Sequence, residues 1–480
     1  MAITRTQKAY ITTAIDYAND VIHVGHAYEK ILADAVARYY RKLVGEENVL
    51  FSTGTDEHGT TNYKAAQKAE TSIEEYTDQI SALDKAQIDS LNISYDRFIR
   101  TTDSDHKKTA SEFFRKALET GDIYKGKYLG FYCEGCEAYK TISELNANGQ
   151  CTNHPAREIQ KLEEENLFFR WSKYTDKLKN LIESKENFIL PLAKKNEMLA
   201  FLSRGLDDIP VSRPKEKVPW GIPVPGDESQ VIYVWYDALV NYYTFGNPKG
   251  FWEEDTKIIH FVGKDILRFH ALLWPAMLMN LGLPLPTTIY THGFINLEGR
   301  KISKSLGNVI RPDELVQKYG VDAVRYYFLK HGPIVDDVDI SLSYLERVYN
   351  ADLANGLGNT VARIAKLAEN SGLEFEAVED ENYDIWTQSW AEPIEKYRTD
   401  LALQNIWKIL SQLEKHINEH EPWAIKDQAE LQKVLDYEIK TIKWIGKVLE
   451  PFIPCTSGKI SEIFSGKAIK STSPLFPRIS

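Results

Sequence analysis

The stretch from Tyr10 to Gly45 limits the possible folds more than any other part of the chain. "YITTAI" (10–15) is a β-branched run of strand length. "AYEKILADAVARYYRKLVG" (27–45) places Ile31, Leu32, Ala35, Val36, Tyr39, Tyr40 and Leu43 at helical spacing, with Gly45 as the stop. A strand that hands over to a long helix is half of a βαβ unit and calls for an α/β sheet. Between the two sits "IHVGH" (22–26), so His23, Gly25 and His26 fall in the turn and first helical turn. Unpaired backbone N–H groups and the helix dipole attract anions there. Two imidazoles at that place suit phosphate. One surface histidine and one buried, hydrogen-bonded histidine would satisfy the same pattern.

The alternation continues and is then interrupted. "ENVLFSTGTDEHG" (47–59) is a second strand running into a polar turn, and Thr71 with Glu74 has capping-box spacing ahead of the next helix. Residues 116–225 are rich in Tyr, Phe, Glu and Lys and end in a segment dense in proline and glycine. Strands at 256–263 and 287–295 then resume around the buried helix "HALLWPAMLMNLG". The expected architecture is therefore a Rossmann-type parallel sheet split by an insertion. Its halves are 1–115 and 226–330, the insertion is 116–225, and a linker follows at 331–350. Residues 351–480 carry helical periodicity, as in "IWKILSQLEKHINEH", and are expected to form an all-α bundle.

Composition narrows the class. The 480 residues are 43% hydrophobic and 26% charged, which implies a soluble protein of several structural units. No stretch has the length of a membrane span or the pattern of a signal peptide. A net charge of −11 does not advertise nucleic-acid binding, although a local basic face is compatible with an acidic total. Three of the four cysteines fall in "CEGCEAYKTISELNANGQCTNH" (133–154), which is not a disulfide framework, and a reducing cytoplasm is expected. C-x2-C, fourteen residues, then C-x2-H makes Cys133, Cys136, Cys151 and His154 a closed four-ligand set. That points to one structural zinc rather than a catalytic metal.

A second phosphate-like signal is "GRKISKSLGN" (299–308), where two glycines bracket Lys301 and Lys304. Lysine is a compact charge suited to phosphate oxygens, whereas a lone K-x-x-K would be read as a solvated turn. "HVGH" and "KISKS", about 275 residues apart on α/β halves, resemble the HIGH and KMSKS signatures of class I aminoacyl-tRNA synthetases. "TGTDEHG", "YVWYDAL", "HFVGKDILRFH", "THGFINLEGRKISKS", "NADLANGLGNTVAR" and the closing "PLFPRI" extend the resemblance to methionyl-tRNA synthetase over essentially the whole chain.

The resemblance implies methionine activation by ATP with Mg²⁺, then transfer to tRNA(Met). It assigns His23, His26, Lys301 and Lys304 to catalysis and ATP phosphate binding. Gly25, Gly263 and Asp265 would hold the nucleoside. Asp56 would bind the methionine ammonium. Ile15, Tyr17, Trp235, Tyr242 and His270 would line the thioether pocket. Leu239 stands where many relatives carry proline. Asn359 and Arg363, four apart on one helix, and Trp423 would read the anticodon. A monomer is expected. The Val, Ile and Leu enzymes are longer, and the cysteine enzyme binds its zinc within the catalytic core. Smaller nucleotidyltransferases lack the long helical region, and an inactive paralogue would have lost the lysines or histidines.

Overall fold

The computed structural model describes residues 7–479 apart from 153, 156, 303–308, 376–387 and 472. Its centre is a parallel sheet of seven strands. They are β1 (Ala9–Thr13), β2 (Asp16–Tyr17), β3 (Val49–Asp56), β4 (Arg97–Arg100), β8 (Ile189–Leu190), β13 (Lys257–Gly263) and β14 (Thr288–His292). The order is β2-β3-β1-β13-β14-β8, with β4 also paired to β3. Side chains alternate across the sheet: in β13, Ile259 and Phe261 join one buried cluster and Ile258 and Val262 the other. Both faces are covered, as a parallel sheet requires.

One face carries helix α1 (Val24–Val44), whose Ile31, Leu32, Ala35, Val36, Tyr39 and Tyr40 are fully buried. The C-terminal helices Val321–His331, Thr399–His420 and Gln428–Leu449 contribute to the same core. The fully buried Arg325 ties them to α1: it pairs with Asp34 at 2.7 Å and its Nε donates to the Phe452 carbonyl at 2.8 Å. The chain end folds back too, since Asn350 Nδ2 donates to the Ile479 carbonyl and Asn350 Oδ1 accepts from its N–H, at 3.0 and 3.1 Å.

The insertion is antiparallel. β5 (Ile123–Cys133) pairs along its length with β7 (Gln160–Phe169), flanked by β6 (Ala138–Lys140) and β9 (Ile209–Pro210). The short strand β8 lies within 116–225, yet it pairs with β14 at the edge of the central sheet. That span therefore serves both bodies. The expected cap at Thr71 and Glu74 is shifted by one residue. Ser72 caps helix Ile73–Ser90 and accepts from Glu75 N at 3.2 Å, because Ser72 and Glu75 offer the same spacing one position on.

Candidate functional site

The strand order changes direction at β1, which lies between β3 and β13. Open α/β sheets bind ligands beyond the carboxyl ends of strands at such a point. The chain leaving β1 runs through residues 14–23 to the start of α1. His23 is the N-cap: its Nδ1 accepts from Gly25 N at 3.0 Å, and His26 Nδ1 accepts from His23 N at 3.3 Å. The two rings stack, with centroids 4.1 Å apart. A Cβ on Gly25 would come within 2.8 Å of the His23 ring, so glycine is required for the stack to close. With both Nδ1 atoms accepting from the backbone, the proton of each neutral imidazole sits on Nε2. The capping box thus presents two ring N–H donors at a helix N-terminus.

Gly263 ends β13, and a Cβ there would meet Asp265 Oδ1 at 2.9 Å. Its absence lets the exposed Asp265 carboxylate fold against the strand end. Lys301 lies in a tight hairpin, with its backbone opposite Asn296 and both turn residues, Glu298 and Gly299, at positive φ. Ile302 is buried in the main core, and Val309 and Ile310 pack against that core. Lys304 lies outside the described residues.

Five of the six expected methionine-pocket residues are linked by direct contacts. Tyr17 of β2 is in register with Asp56 at the end of β3. Trp235 lies edge-on to Tyr17 at 6.4 Å and to His270 at 6.1 Å, and stacks on Phe269 at 4.1 Å. The Tyr242 hydroxyl is 2.8 Å from His270 Nε2, and His270 Nδ1 is 3.0 Å from the Ile266 carbonyl. The carbonyl can only accept, so Nδ1 carries the proton and Nε2 accepts from the tyrosine. Burial pushes His270 down to about 4, so the ring is neutral near pH 7. Ile15 is half-buried just after β1. Leu239 ends the short helix Val234–Leu239 and is buried.

Asp56 is 4% exposed, and its Oδ1 has no hydrogen-bond partner among the described residues; neither has the buried Tyr17 hydroxyl. Burial, then Asp237 and Glu137, push the Asp56 carboxyl well up. A buried carboxylate oxygen without a donor is costly, and a cationic ligand group would satisfy it.

Three polar residues that the sequence does not single out hold this region together. Asp237 is fully buried and bonds His58 Nδ1 and His106 Nε2, each at 2.7 Å. Burial pushes its carboxyl up, but the two histidines outweigh that and hold it at about 2. The partners lie 179 and 131 residues away, so no local spacing announces them.

The ligand atoms of Cys133, Cys136, Cys151 and His154 lie within 4.8 Å of one another. Cys136 Sγ is 3.5 Å from Cys151 Sγ and 3.2 Å from His154 Nδ1, while Cys133 Sγ is 3.9 Å from His154 Nδ1. A tetrahedral zinc sets such atoms about 3.5–3.8 Å apart, so the donor set fits the ion. A Cβ on Gly135 would come within 2.7 Å of His154, which explains the glycine in the C-x2-C turn. The knuckle also touches the pocket. Trp235 Nε1 donates to the Cys136 carbonyl, and Glu137 accepts from Thr61 N and Oγ1 just beyond the "TDEHG" turn.

In the helical region, Asn359 is exposed at the head of helix Asn359–Ser371. Arg363 donates to Asn418 Oδ1 at 2.8 Å and lies 5.0 Å over the Trp423 ring. Trp423 is 55% exposed, in the turn after helix Thr399–His420, and so is not part of the bundle core.

The profile of class I (M) tRNA synthetases matches residues 9–161 and 148–365. A methionine–tRNA ligase of Caldanaerobacter subterraneus subsp. tengcongensis is 40% identical, covering 98% of this chain and 78% of the relative. That of Clostridium perfringens is 42% identical over 94% and 72%. The chain belongs to the methionine–tRNA ligase family. It is accordingly a class I aminoacyl-tRNA synthetase, a ligase. Among solved structures of the family, Mycobacterium tuberculosis methionyl-tRNA synthetase in complex with methionyl-adenylate superimposes with a TM-score of 0.90 at 33% identity, over 98% of this chain and 100% of that one. The apo form of the same enzyme gives 0.81 at 31% identity, over 100% of both.

Proposed function

We propose that this chain activates L-methionine with ATP to methionyl-adenylate and pyrophosphate, then transfers methionine to the 3'-terminal adenosine of tRNA(Met). The observation that carries the reading is the orphaned Asp56 Oδ1 beside a neutral aromatic pocket of Trp235, Tyr242 and His270. That combination suits an ammonium next to a thioether, since aromatic rings favour sulfur. The methionyl-adenylate in the related structure has the same chemistry.

In this reading the methionine carboxylate attacks the α-phosphorus in line and pyrophosphate leaves. The chain positions the reactants and stabilises spreading negative charge. The Nε2–H donors of His23 and His26 face the ATP phosphates, and Gly25 admits the adenine ring. Asp265 accepts from ribose hydroxyls at the end of β13. Lys301 and Lys304 approach the β- and γ-phosphates from the opposite side, with Mg²⁺ entering as part of the ATP substrate.

Cys133, Cys136, Cys151 and His154 would hold one zinc, whose contribution is to fix the shape of the knuckle. The helical region from 351 reads the anticodon, with Trp423 as a stacking platform and Asn359 and Arg363 as hydrogen-bonding groups. Residues 331–350 link it to the catalytic sheet. No described helix is long and apolar enough to cross a membrane. The sparse, clustered cysteines suit a reducing cytoplasm, where we place the enzyme, as a monomer. Acylation of a purified tRNA pool with labelled methionine tests the whole reaction: label should enter tRNA(Met), and label in another tRNA, or none at all, contradicts it.

A further inference from the structure

Helix Ile73–Ser90 carries none of the signature residues, yet it touches the segments on both sides of the site. Tyr76, Ile80, Asp84 and Gln87 follow one another at i+4, i+4 and i+3 and share one face. Along that face the Tyr76 hydroxyl donates to the Asn19 carbonyl at 2.8 Å. Ile80 packs with Ala18 and Val21 in a small cluster of its own. Asp84 Oδ1 accepts from Ile22 N at 2.8 Å, one residue before the His23 cap. Gln87 Oε1 accepts from Asp313 N at 3.0 Å, five residues beyond the end of the lysine signature segment. The two loops also meet directly, because Val24 N donates to the Ile310 carbonyl at 3.1 Å.

Asp84 is 1% exposed, and its Oδ2 has no hydrogen-bond partner among the described residues. Burial pushes its carboxyl up to about 7, against the Ile22 N–H that lowers it. A half-satisfied buried carboxylate detracts from stability, so its contribution must be sought in what its other oxygen holds.

We propose that helix Ile73–Ser90 is a brace that sets the spacing between the histidine cap and the segment 309–313 that follows the lysine signature, with Asp84 and Gln87 as its positioning residues. This rests on the reading of the histidine and lysine loops as a grip on ATP from opposite sides. Donors stabilise a transition state only where they are aimed in advance, and a displacement of about 1 Å from a distant change can cost on the order of 10²-fold. Neither residue touches the reactants. Asp84 fixes the backbone one residue before His23, and Gln87 fixes the first turn of helix Pro312–Tyr319, which follows the lysine signature.

The test is single-turnover adenylate formation across ATP concentrations, with methionine affinity measured separately without ATP. The variants are Asp84→Ala, Asp84→Asn and Gln87→Ala, with His23→Ala as reference. Asp84→Ala should slow adenylate formation by on the order of 10²-fold while methionine affinity is unchanged. Asp84→Asn keeps the Oδ1 acceptor and should recover most of the rate. Gln87→Ala should slow the step in the same direction. If Asp84→Ala folds poorly, the Asn and Gln87 variants carry the test alone. A slow His23→Ala beside parental rates in Asp84→Ala and Gln87→Ala overturns the brace and leaves the site reading standing. A parental rate in His23→Ala removes that reading and the brace with it. Loss of methionine affinity in step with the rate, unrecovered by Asn, also overturns the brace, since it marks a merely structural residue.

Discussion

The indole N–H of Trp235 donates to the backbone carbonyl of Cys136 across 3.2 Å. One wall of the proposed methionine pocket therefore hangs from a residue of the cysteine–histidine cluster, although Trp235 lies on the short helix Val234–Leu239 and Cys136 in a turn 99 residues away. Removing the metal should be felt at the indole. Chelation under reducing conditions, or Cys133→Ser, should shift tryptophan emission and weaken methionine binding. Far-UV circular dichroism should hold most of its amplitude, because one face of the central sheet packs on a core to which the insertion contributes no buried residue. Elemental analysis should find one zinc per chain, released on acidification as protons compete for the thiolates. Zinc-free protein with parental emission and methionine affinity would contradict the coupling.

His270 makes stability depend on pH in a defined window. Its folded value, about 4, lies below the ordinary histidine value of about 6.5, because burial opposes the charged form. As pH falls below about 6.5 the unfolded chain takes up a proton that the folded chain refuses. The stabilisation is therefore complete above that pH and is lost on the way down to about 4, by about 3 kcal/mol in all. Urea unfolding of the parent and His270→Gln at pH 7 and pH 4.5 isolates the effect, since other groups titrate in both. The parent should lose more than the variant. Equal losses would mean that this ring does not titrate as its burial implies.

Substitution of Trp423 should separate the two halves of the reaction. Its ring is more than half exposed and covered on one side by Arg363. Trp423→Ala should leave pyrophosphate exchange and melting temperature near parental values. Apparent tRNA affinity should fall about 5- to 150-fold, the worth of one base–aromatic stack at ~1–3 kcal/mol. Equal loss in both steps with a lowered melting temperature would make the residue structural.

What the sequence makes legible is what is local. The passage from β1 to α1 reads correctly because strand, cap and glycine are contiguous and each has its own propensity. The knuckle reads correctly as a cluster because ligand spacing is set by short turns. The framework around the pocket does not. Asp237 meets His58 and His106, and Asp84 meets Ile22, only after folding brings distant segments together. Strand β8 is two residues long and has no period to detect. The exposure of Trp423 was equally hidden, since the sequence around it is compatible with a packed bundle residue.

By this reading the site chooses methionine and joins it to the α-phosphate of ATP. The direct measurement is ATP–pyrophosphate exchange with each of the twenty amino acids in turn, in the absence of tRNA. Methionine alone should support exchange at a substantial rate, and Asp56→Ala should abolish most of it by removing the buried partner of the ammonium. Exchange driven by another amino acid in preference to methionine, or none with methionine at saturating ATP, would contradict the account.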